Sequence, residues 1–175
     1  MIRIINIVLL LAVIGMSYWS FRLIKDPIEQ AKVHKMKKEA IISRLKDIRK
    51  AEFAYREIHG HFTGSFDSLL KMIRRDTFQL VRTIGDPNDT TIQVQRDTLL
   101  VPVRDSLTRV MNNPVDSLPY VPYTDTAQFE LKADVIKKGG VRVPVFLARD
   151  SKPYDPDKVW QVGSLSEATY SGNFE

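Results

Sequence analysis

Residues 56–70 read REIHGHFTGSFDSLL, and they mark the point where a long lysine-rich segment gives way to one punctuated by glycine. Gly60 is well placed to end a helix, because glycine readily adopts the left-handed backbone that follows many last helical residues. Residues 63–66 then predict a turn before a short second helix over residues 67–75. The stretch therefore predicts a corner between a helix and a globular head.

The two histidines of this stretch raise the alternative of a metal site. A protein metal site needs a third and usually a fourth ligand, and the remaining histidine, His34, lies more than twenty residues upstream. The reversal of the chain accounts for His59 and His61 without a metal. We therefore expect no metal and no cofactor here.

The segment before this corner begins with an apolar run typical of a membrane anchor. Residues 4–21 carry no charge, and the run extends toward Ile24, which approaches the ~20 residues that a helix needs to cross a bilayer. Aromatic side chains at its end favour the lipid–water interface. We predict a transmembrane anchor over residues 1–25. The anchor residues are Ile4, Leu10, Ile14, Tyr18, Trp19 and Phe21.

A cleaved signal peptide is the alternative explanation of the apolar run. No Ala-x-Ala motif follows the run, and Trp19, Phe21 and Arg22 occupy positions where a cleavage site needs small residues. The pattern therefore favours an anchor that is not removed.

Residues 26–59 predict an amphipathic stalk. Residues 28–58 contain neither proline nor glycine, so a helix of about 45 Å is expected there. Pro27 fits either the first turn of a new helix or a kink in one long helix. Apolar side chains recur at intervals of three and four, which predicts one stripe that packs on the head. The stripe consists of Ile41, Leu45, Ile48, Ala51, Tyr55 and Ile58.

The net charge of +5 is concentrated before the corner, because residues 1–59 hold twelve Lys and Arg against six Asp and Glu. Residues 76–175 hold eleven against fourteen. The basic stalk residues are Lys32, Lys35, Lys37 and Lys38. They either attract anionic lipid headgroups or form a solvated helix face with acidic residues among them. No nucleic-acid-binding motif accompanies them, so nucleic acid is not an expected partner.

Residues 60–175 predict a head built from strands and turns. The expected elements are strands over residues 78–84, 91–96 and 98–103, a turn at 85–89, a short helix over 105–111, and a hairpin of residues 129–136 and 141–148 around Gly139-Gly140. The residues expected to share the apolar face of the hairpin are Phe129, Leu131, Ala133, Val135, Val141, Val143, Val145 and Leu147. Packing of the stalk stripe on this face predicts an α+β fold, a helix on a small antiparallel sheet.

The residue inventory does not favour catalysis. The chain has no cysteine, which excludes thiolate nucleophiles and thiolate metal sites, and none of its three histidines lies in a recognisable catalytic motif. Acidic clusters at Asp86/Asn88/Asp89 and at Asp150/Asp155/Asp157 leave calcium open, although they match turn formers better than an EF-hand. We therefore expect a protein that is not an enzyme.

The stretch RLKDIRKAEFAYREIHGHFTGSFDSLL, residues 44–70, resembles the type IV pilin and type II secretion pseudopilin superfamily, whose long helix carries Ala and Tyr just before a Gly-aromatic turn. More narrowly, the chain resembles a group of single-pass membrane proteins of the Bacteroidota, and this likeness continues through VDSLPYVPYTD, GGVRVPVF and VGSLSEATYSGNFE. The resemblance implies a pilin-like fold and a head on the periplasmic side of the inner membrane.

Two features depart from the family. The prepilin peptidase signal is missing, since Gly15 is followed by Met16, and the first carboxylate is Asp26. The resemblance therefore implies a pilin-like anchor rather than a polymerising pilin. The lysines that follow the apolar run favour the opposite orientation, because positive residues collect on the cytoplasmic side. We follow the resemblance.

These observations predict a single-pass, membrane-anchored structural subunit of a bacterial envelope assembly, such as a secretion machine. Its expected partners are the lipid bilayer and other envelope subunits, in a homo- or hetero-oligomer. The alternative is a membrane-tethered periplasmic binding or scaffold module.

Overall fold

The computed structural model describes the backbone of residues 2–84, 95–124, 126–155 and 157–175, and their side chains except at residues 2, 3, 21–28, 80–84 and 95–97. In chain order its elements are α1 (Ile2–His59), α2 (Phe66–Arg75), β1 (Thr77–Ile84), β2 (Gln95–Pro102), α3 (Val103–Val110), a 3-10 turn (Val115–Ser117), β3 (Glu130–Lys138), β4 (Val141–Arg149) and β5 (Gln161–Gly163). The chain is therefore α+β, and its described residues form one long helix and two small antiparallel sheets.

The helix α1 continues through Pro27, so the predicted anchor and stalk segments belong to one long helix rather than two. The chain divides into two compact units inside this helix, Met1–Glu39 and Ala40–Glu175. Residues 40–59 of α1 therefore belong to the second unit, together with both sheets.

The end of α1 is at the predicted corner. Gly60 has a φ of 79°, in the left-handed region, and its N–H donates to the carbonyl of Arg56 at 2.8 Å. Glycine is favoured there because it has no Cβ to clash. The prediction that Gly60 ends the helix is confirmed.

The strands β1 and β2 form a two-stranded ribbon, with Thr77 opposite Pro102 and Ile84 opposite Gln95. Residues 91–96 and 98–103 were predicted as two strands. The described part of this stretch forms the single strand β2, and residues 91–94 lie outside the described residues. The prediction that residue 103 is in a strand was wrong, because α3 already begins at Val103. Val103 donates its N–H to the carbonyl of Asp76 at 3.1 Å, which closes the ribbon at this end.

The second sheet has the strand order β3-β4-β5. The predicted hairpin is present, and Gly139 and Gly140 both have a positive φ, as its tight turn requires. The predicted apolar face of β4 was wrong in register, although Val145 of the predicted set is fully buried. With only two residues in the turn, Lys138 stands opposite Val141, so odd-numbered residues of β3 stand opposite even-numbered residues of β4.

Residues directly opposite each other in a sheet point to the same side. Leu131 and Ala133 therefore share their face with Ala148 and Phe146, and not with Val143 or Leu147. Phe146 is fully buried, and Phe53 of α1 meets it edge-on with ring centroids 6.5 Å apart. This contact joins the helix to the sheet.

Gly163 shows how closely β5 approaches this core. Its φ is 78°, and a Cβ added there would lie 2.2 Å from the carbonyl oxygen of Phe146. Real Cβ atoms do not come so close to another atom, so only glycine fits this position without movement of the backbone.

Candidate functional site

The first unit carries an uncharged stretch of exposed apolar side chains. The large apolar and aromatic residues from Ile4 to Trp19 are each between 56% and 72% exposed, and they include the predicted anchor residues Ile4, Leu10, Ile14, Tyr18 and Trp19. The side chain of Phe21, the remaining anchor residue, lies outside the described residues. Among the described residues, no helix combines the length and the apolar character that a membrane span needs.

The basic stalk residues follow in the same unit. Lys32, Lys35 and Lys38 are exposed, and Lys37 is half-buried. Lys35 lies 4.0 Å from Glu39, one helical turn on. An exposed pair of this kind contributes little to stability, about 0.3–0.5 kcal/mol.

The predicted packing stripe lies in the second unit. Ile41, Leu45, Ile48 and Ala51 are buried in its core, and Tyr55 and Ile58 pack against that core half-buried. Full burial of a side chain such as Leu45 or Ile48 stabilises a fold by about 1.5–3 kcal/mol. The C-terminal part of α1 therefore forms the centre of this unit.

Two buried carboxylates, Asp47 and Glu52, lie on the same part of α1 and were not predicted from the sequence. Asp47 is fully buried and accepts hydrogen bonds from the backbone N–H groups of Asn112 and Asn113, both at 3.1 Å, and from the side-chain amide of Asn113 at 2.7 Å. Lys50 adds an ion pair at 3.2 Å. Asp47 thereby attaches the chain that follows α3 to the helix.

Glu52 is the second buried carboxylate, and it is less well satisfied. Its Oε2 accepts the backbone N–H of Thr63 at 3.0 Å, whereas its Oε1 is buried with no hydrogen-bond partner among the described residues. Burial raises the pKa of this carboxyl from 4.5 to about 8, although the bond from Thr63 acts in the opposite direction. Glu52 is therefore mostly protonated near pH 7.

The spacing could have indicated Glu52. It lies four residues after Ile48 and three before Tyr55, so a helix places it on the buried stripe. The hydrogen-bond partner could not have been found in this way, because the N–H of Thr63 reaches the carboxylate only after the chain has turned at Gly60.

The histidines at the corner are in contact with other groups. His59 Nε2 lies 3.2 Å from Asp76 Oδ2, and the ring of Tyr55 lies 4.3 Å from that of His59. His61 uses its Nδ1 in a 3.0 Å contact with the carbonyl of Phe62. Within the described part of the chain, no group of three or more His, Asp or Glu side chains is arranged to hold a metal ion.

The first of the two predicted acidic clusters lies outside the described residues; it consists of Asp86, Asn88 and Asp89. The residues of the second cluster are described. Asp150 is buried, and its Oδ1 accepts the N–H of Lys152 at 3.0 Å. Burial raises the pKa of this carboxyl. Asp155 pairs with Lys158 at 3.8 Å.

Comparisons with known proteins give no match, whether with protein-family models, curated proteins or solved structures. The resemblance to pilins and pseudopilins therefore stays a prediction from the sequence.

Proposed function

We propose that this protein is a non-catalytic, single-pass membrane-anchored subunit of a bacterial envelope assembly, similar in plan to a pilin or pseudopilin. In this proposal the N-terminal part of α1 is the transmembrane anchor, and the unit Ala40–Glu175 is a periplasmic head that contacts other subunits.

The observation that carries the proposal is the exposed apolar surface of the first unit. Five consecutive residues, 7–11, are apolar and exposed. Successive residues of a helix are about 100° apart, so these five cover every side of it. Soluble proteins rarely expose a continuous apolar surface of this extent, and lipid is the environment that satisfies it on all sides. The flanking Tyr18 and Trp19 suit the lipid–water interface.

Paired arginines in the anchor are expected to prevent membrane insertion. Each arginine at the centre of a membrane helix costs about 2.5–3.5 kcal/mol, so Leu10→Arg combined with Val13→Arg should move most of the chain out of the membrane fraction. The measurement is resistance to alkaline extraction of membranes. A matched variant, Leu10→Val with Val13→Leu, should stay in the membrane.

Equal extraction of the arginine variant and the matched variant would contradict the anchor. The same membranes can report the side on which the head lies, because the chain has no cysteine of its own. A thiol at Ser68→Cys, an exposed position, should react with a membrane-impermeant reagent from the periplasmic side. Reaction from the cytoplasmic side alone would reverse the orientation.

A structural subunit is expected to copurify with other membrane proteins. Gentle detergent extraction of the tagged chain from its native membrane should recover the same partners in repeated preparations. Charge reversal at Lys35, Lys37 and Lys38 should reduce this recovery if the basic stalk contributes to assembly. A wild-type chain that is recovered alone after crosslinking in the intact membrane would contradict the assembly role.

A membrane-tethered binding module is the second candidate, and one groove favours it. The groove, of about 510 Å³, lies between the end of β3 and residues 166–169, and it is lined by Lys137, Lys138, Ser166 and Thr169 among others. Glu167 lines the same groove, so its lining holds two lysines against one carboxylate. This net positive charge, beside two hydroxyls, suits an anionic ligand. A chain that binds a soluble periplasmic ligand without any membrane partner would favour this candidate.

A further inference from the structure

In the β1–β2 ribbon, the edge of β1 that faces away from β2 has no partner strand among the described residues. Pairing at this edge would not depend on the anchor. The hydrogen-bond phase of the ribbon follows from the bond between Val103 N–H and the Asp76 carbonyl, at 3.1 Å. Bonded pairs alternate along an antiparallel ladder. Phe78 and the even-numbered residues after it therefore bond to β2, and Thr77, Gln79, Val81 and Thr83 direct their N–H and C=O groups away from it.

Among the described residues, no strand other than β2 pairs with β1, and no backbone group of another element bonds to Thr77 or Gln79. Thr77 and Gln79 are both exposed at the start of the strand. A groove of about 640 Å³ lies there, lined by Glu57 and Ile58 of α1, residues 77–79, and Ser106 of α3. Within the described part of the chain, β1 thus presents an uncovered row of backbone groups.

The outer edge of β3, in contrast, is protected against pairing with a strand of another chain. The N–H of Phe129, just before β3, is bonded to the carbonyl of Pro119, and the N–H of Val135 is bonded to the carboxylate of Asp134. Gly64 lies against the N–H of Ala133, where an added Cβ would be 3.2 Å away. Such devices prevent an edge strand from pairing with another chain.

β1 has no comparable device among its described groups. Its sequence, TFQLVRTI, contains no proline, lysine or carboxylate, Arg82 is its one charged residue, and it is rich in residues that favour strands. An edge of this kind is a template for one more strand.

We propose that β1 pairs with β1 of a second copy of this chain, antiparallel and related by a two-fold axis at Gln79. The two ribbons then form one four-stranded sheet, β2-β1-β1-β2. In this register Gln79 stands opposite Gln79 of the other copy, Thr77 opposite Val81, and Phe78 opposite Leu80.

Charge complementarity selects this register. It sets Arg82, the one charged residue of β1, opposite Asp76 of the second copy, twice by symmetry. Asp76 has an extended backbone and can continue the strand. Within its own ribbon Arg82 stands opposite Asp97 of β2. A two-fold axis at Leu80 or Val81 would leave Arg82 without an acidic partner on the second copy. A two-fold interface is also the commonest form of self-association.

Single cysteines test this register in the full-length chain, because the chain has none of its own. Opposite Cα atoms at a bonded antiparallel pair are about 5.5 Å apart, which a disulfide can bridge. Gln79→Cys should give a disulfide-linked dimer in mild detergent under mild oxidation. Thr77→Cys and Val81→Cys should each give at least about tenfold less alone, and a heterodimer when mixed. Equal crosslinking at all three positions would overturn the proposal.

Proline at the same position gives an independent test. The N–H of Gln79 points away from β2, so Gln79→Pro should keep the ribbon and remove the pairing of copies. Sedimentation should show a monomer, with an unchanged circular dichroism spectrum and melting temperature. The matched control is Leu100→Pro, which lies opposite on β2 and should still dimerise. Dimers that persist in Gln79→Pro but vanish in the paired anchor arginine variant would overturn this interface and leave the anchor standing.

Discussion

Glu52→Gln is expected to be more stable than the wild-type chain at and above about pH 8, and to lose most of its dependence of stability on pH. The native carboxyl is buried and keeps its proton up to about pH 8, whereas the unfolded carboxyl loses it near 4.5. Folding therefore takes up a proton between these values. The contribution of protonated Glu52 is fully present below the unfolded pKa and is lost as the pH rises through the native pKa.

The expected change in the free energy of unfolding follows from the size of the pKa shift of Glu52. A change from 4.5 to about 8 corresponds to roughly 3–5 kcal/mol, since one pKa unit is about 1.4 kcal/mol. Glutamine resembles the protonated acid and can still accept the N–H of Thr63. The free energy of unfolding, measured with urea from pH 5 to pH 9 at constant ionic strength, should fall steeply only in the wild-type chain.

Glu57→Gln is the matched control, because it removes the same charge from an exposed position about one and a half turns further along α1. Its pH profile should follow that of the wild-type chain. A small slope should persist in Glu52→Gln, because burial also raises the pKa of Asp150. An unchanged wild-type slope in Glu52→Gln would contradict the buried, protonated state of this carboxyl.

Ile48→Asp is expected to destabilise the second unit by roughly 3–5 kcal/mol, because it places an unpaired charge in a fully buried site. For a unit of this size the melting temperature should fall by roughly 10–20 °C. Ile48→Ala, which leaves a cavity but no charge, should cost about 2–5 kcal/mol.

Met36→Asp is the control for this variant. It introduces the same charge into the same helix at an exposed position of the first unit. Its effect should stay within about 0.5 kcal/mol, as for most surface substitutions. A melting temperature that is unchanged in Ile48→Asp would show that α1 does not form the core of the unit.

The helix and its buried stripe could be predicted from the sequence, because both depend on spacing along one element. Ile41, Leu45 and Ile48 recur at helical intervals whatever they pack against. The end of the helix at Gly60 could be predicted equally well, since the left-handed backbone at a helix end favours glycine.

The face of β4 could not be predicted in this way. Alternation identifies a strand, but which alternate set faces the core depends on its partner, and the two-residue turn sets that register. Phe146 was missed for this reason. The partners of Asp47, the backbone N–H groups of Asn112 and Asn113 and the side-chain amide of Asn113, could not be predicted because only the fold brings them close. The same holds for the N–H of Thr63, although spacing alone would have placed Glu52 on the buried stripe.

The fit of Gly163 against the Phe146 carbonyl has a consequence for the evolution of this chain. Any side chain at residue 163 would meet the backbone of the neighbouring strand, so mutation there should be removed by selection whatever the protein binds. Related sequences that have diverged in the helix should still carry glycine at this place. The position is thus a fixed point for aligning distant relatives, independent of the exposed apolar residues of the first unit and of the charged residues, which can drift while their character is kept.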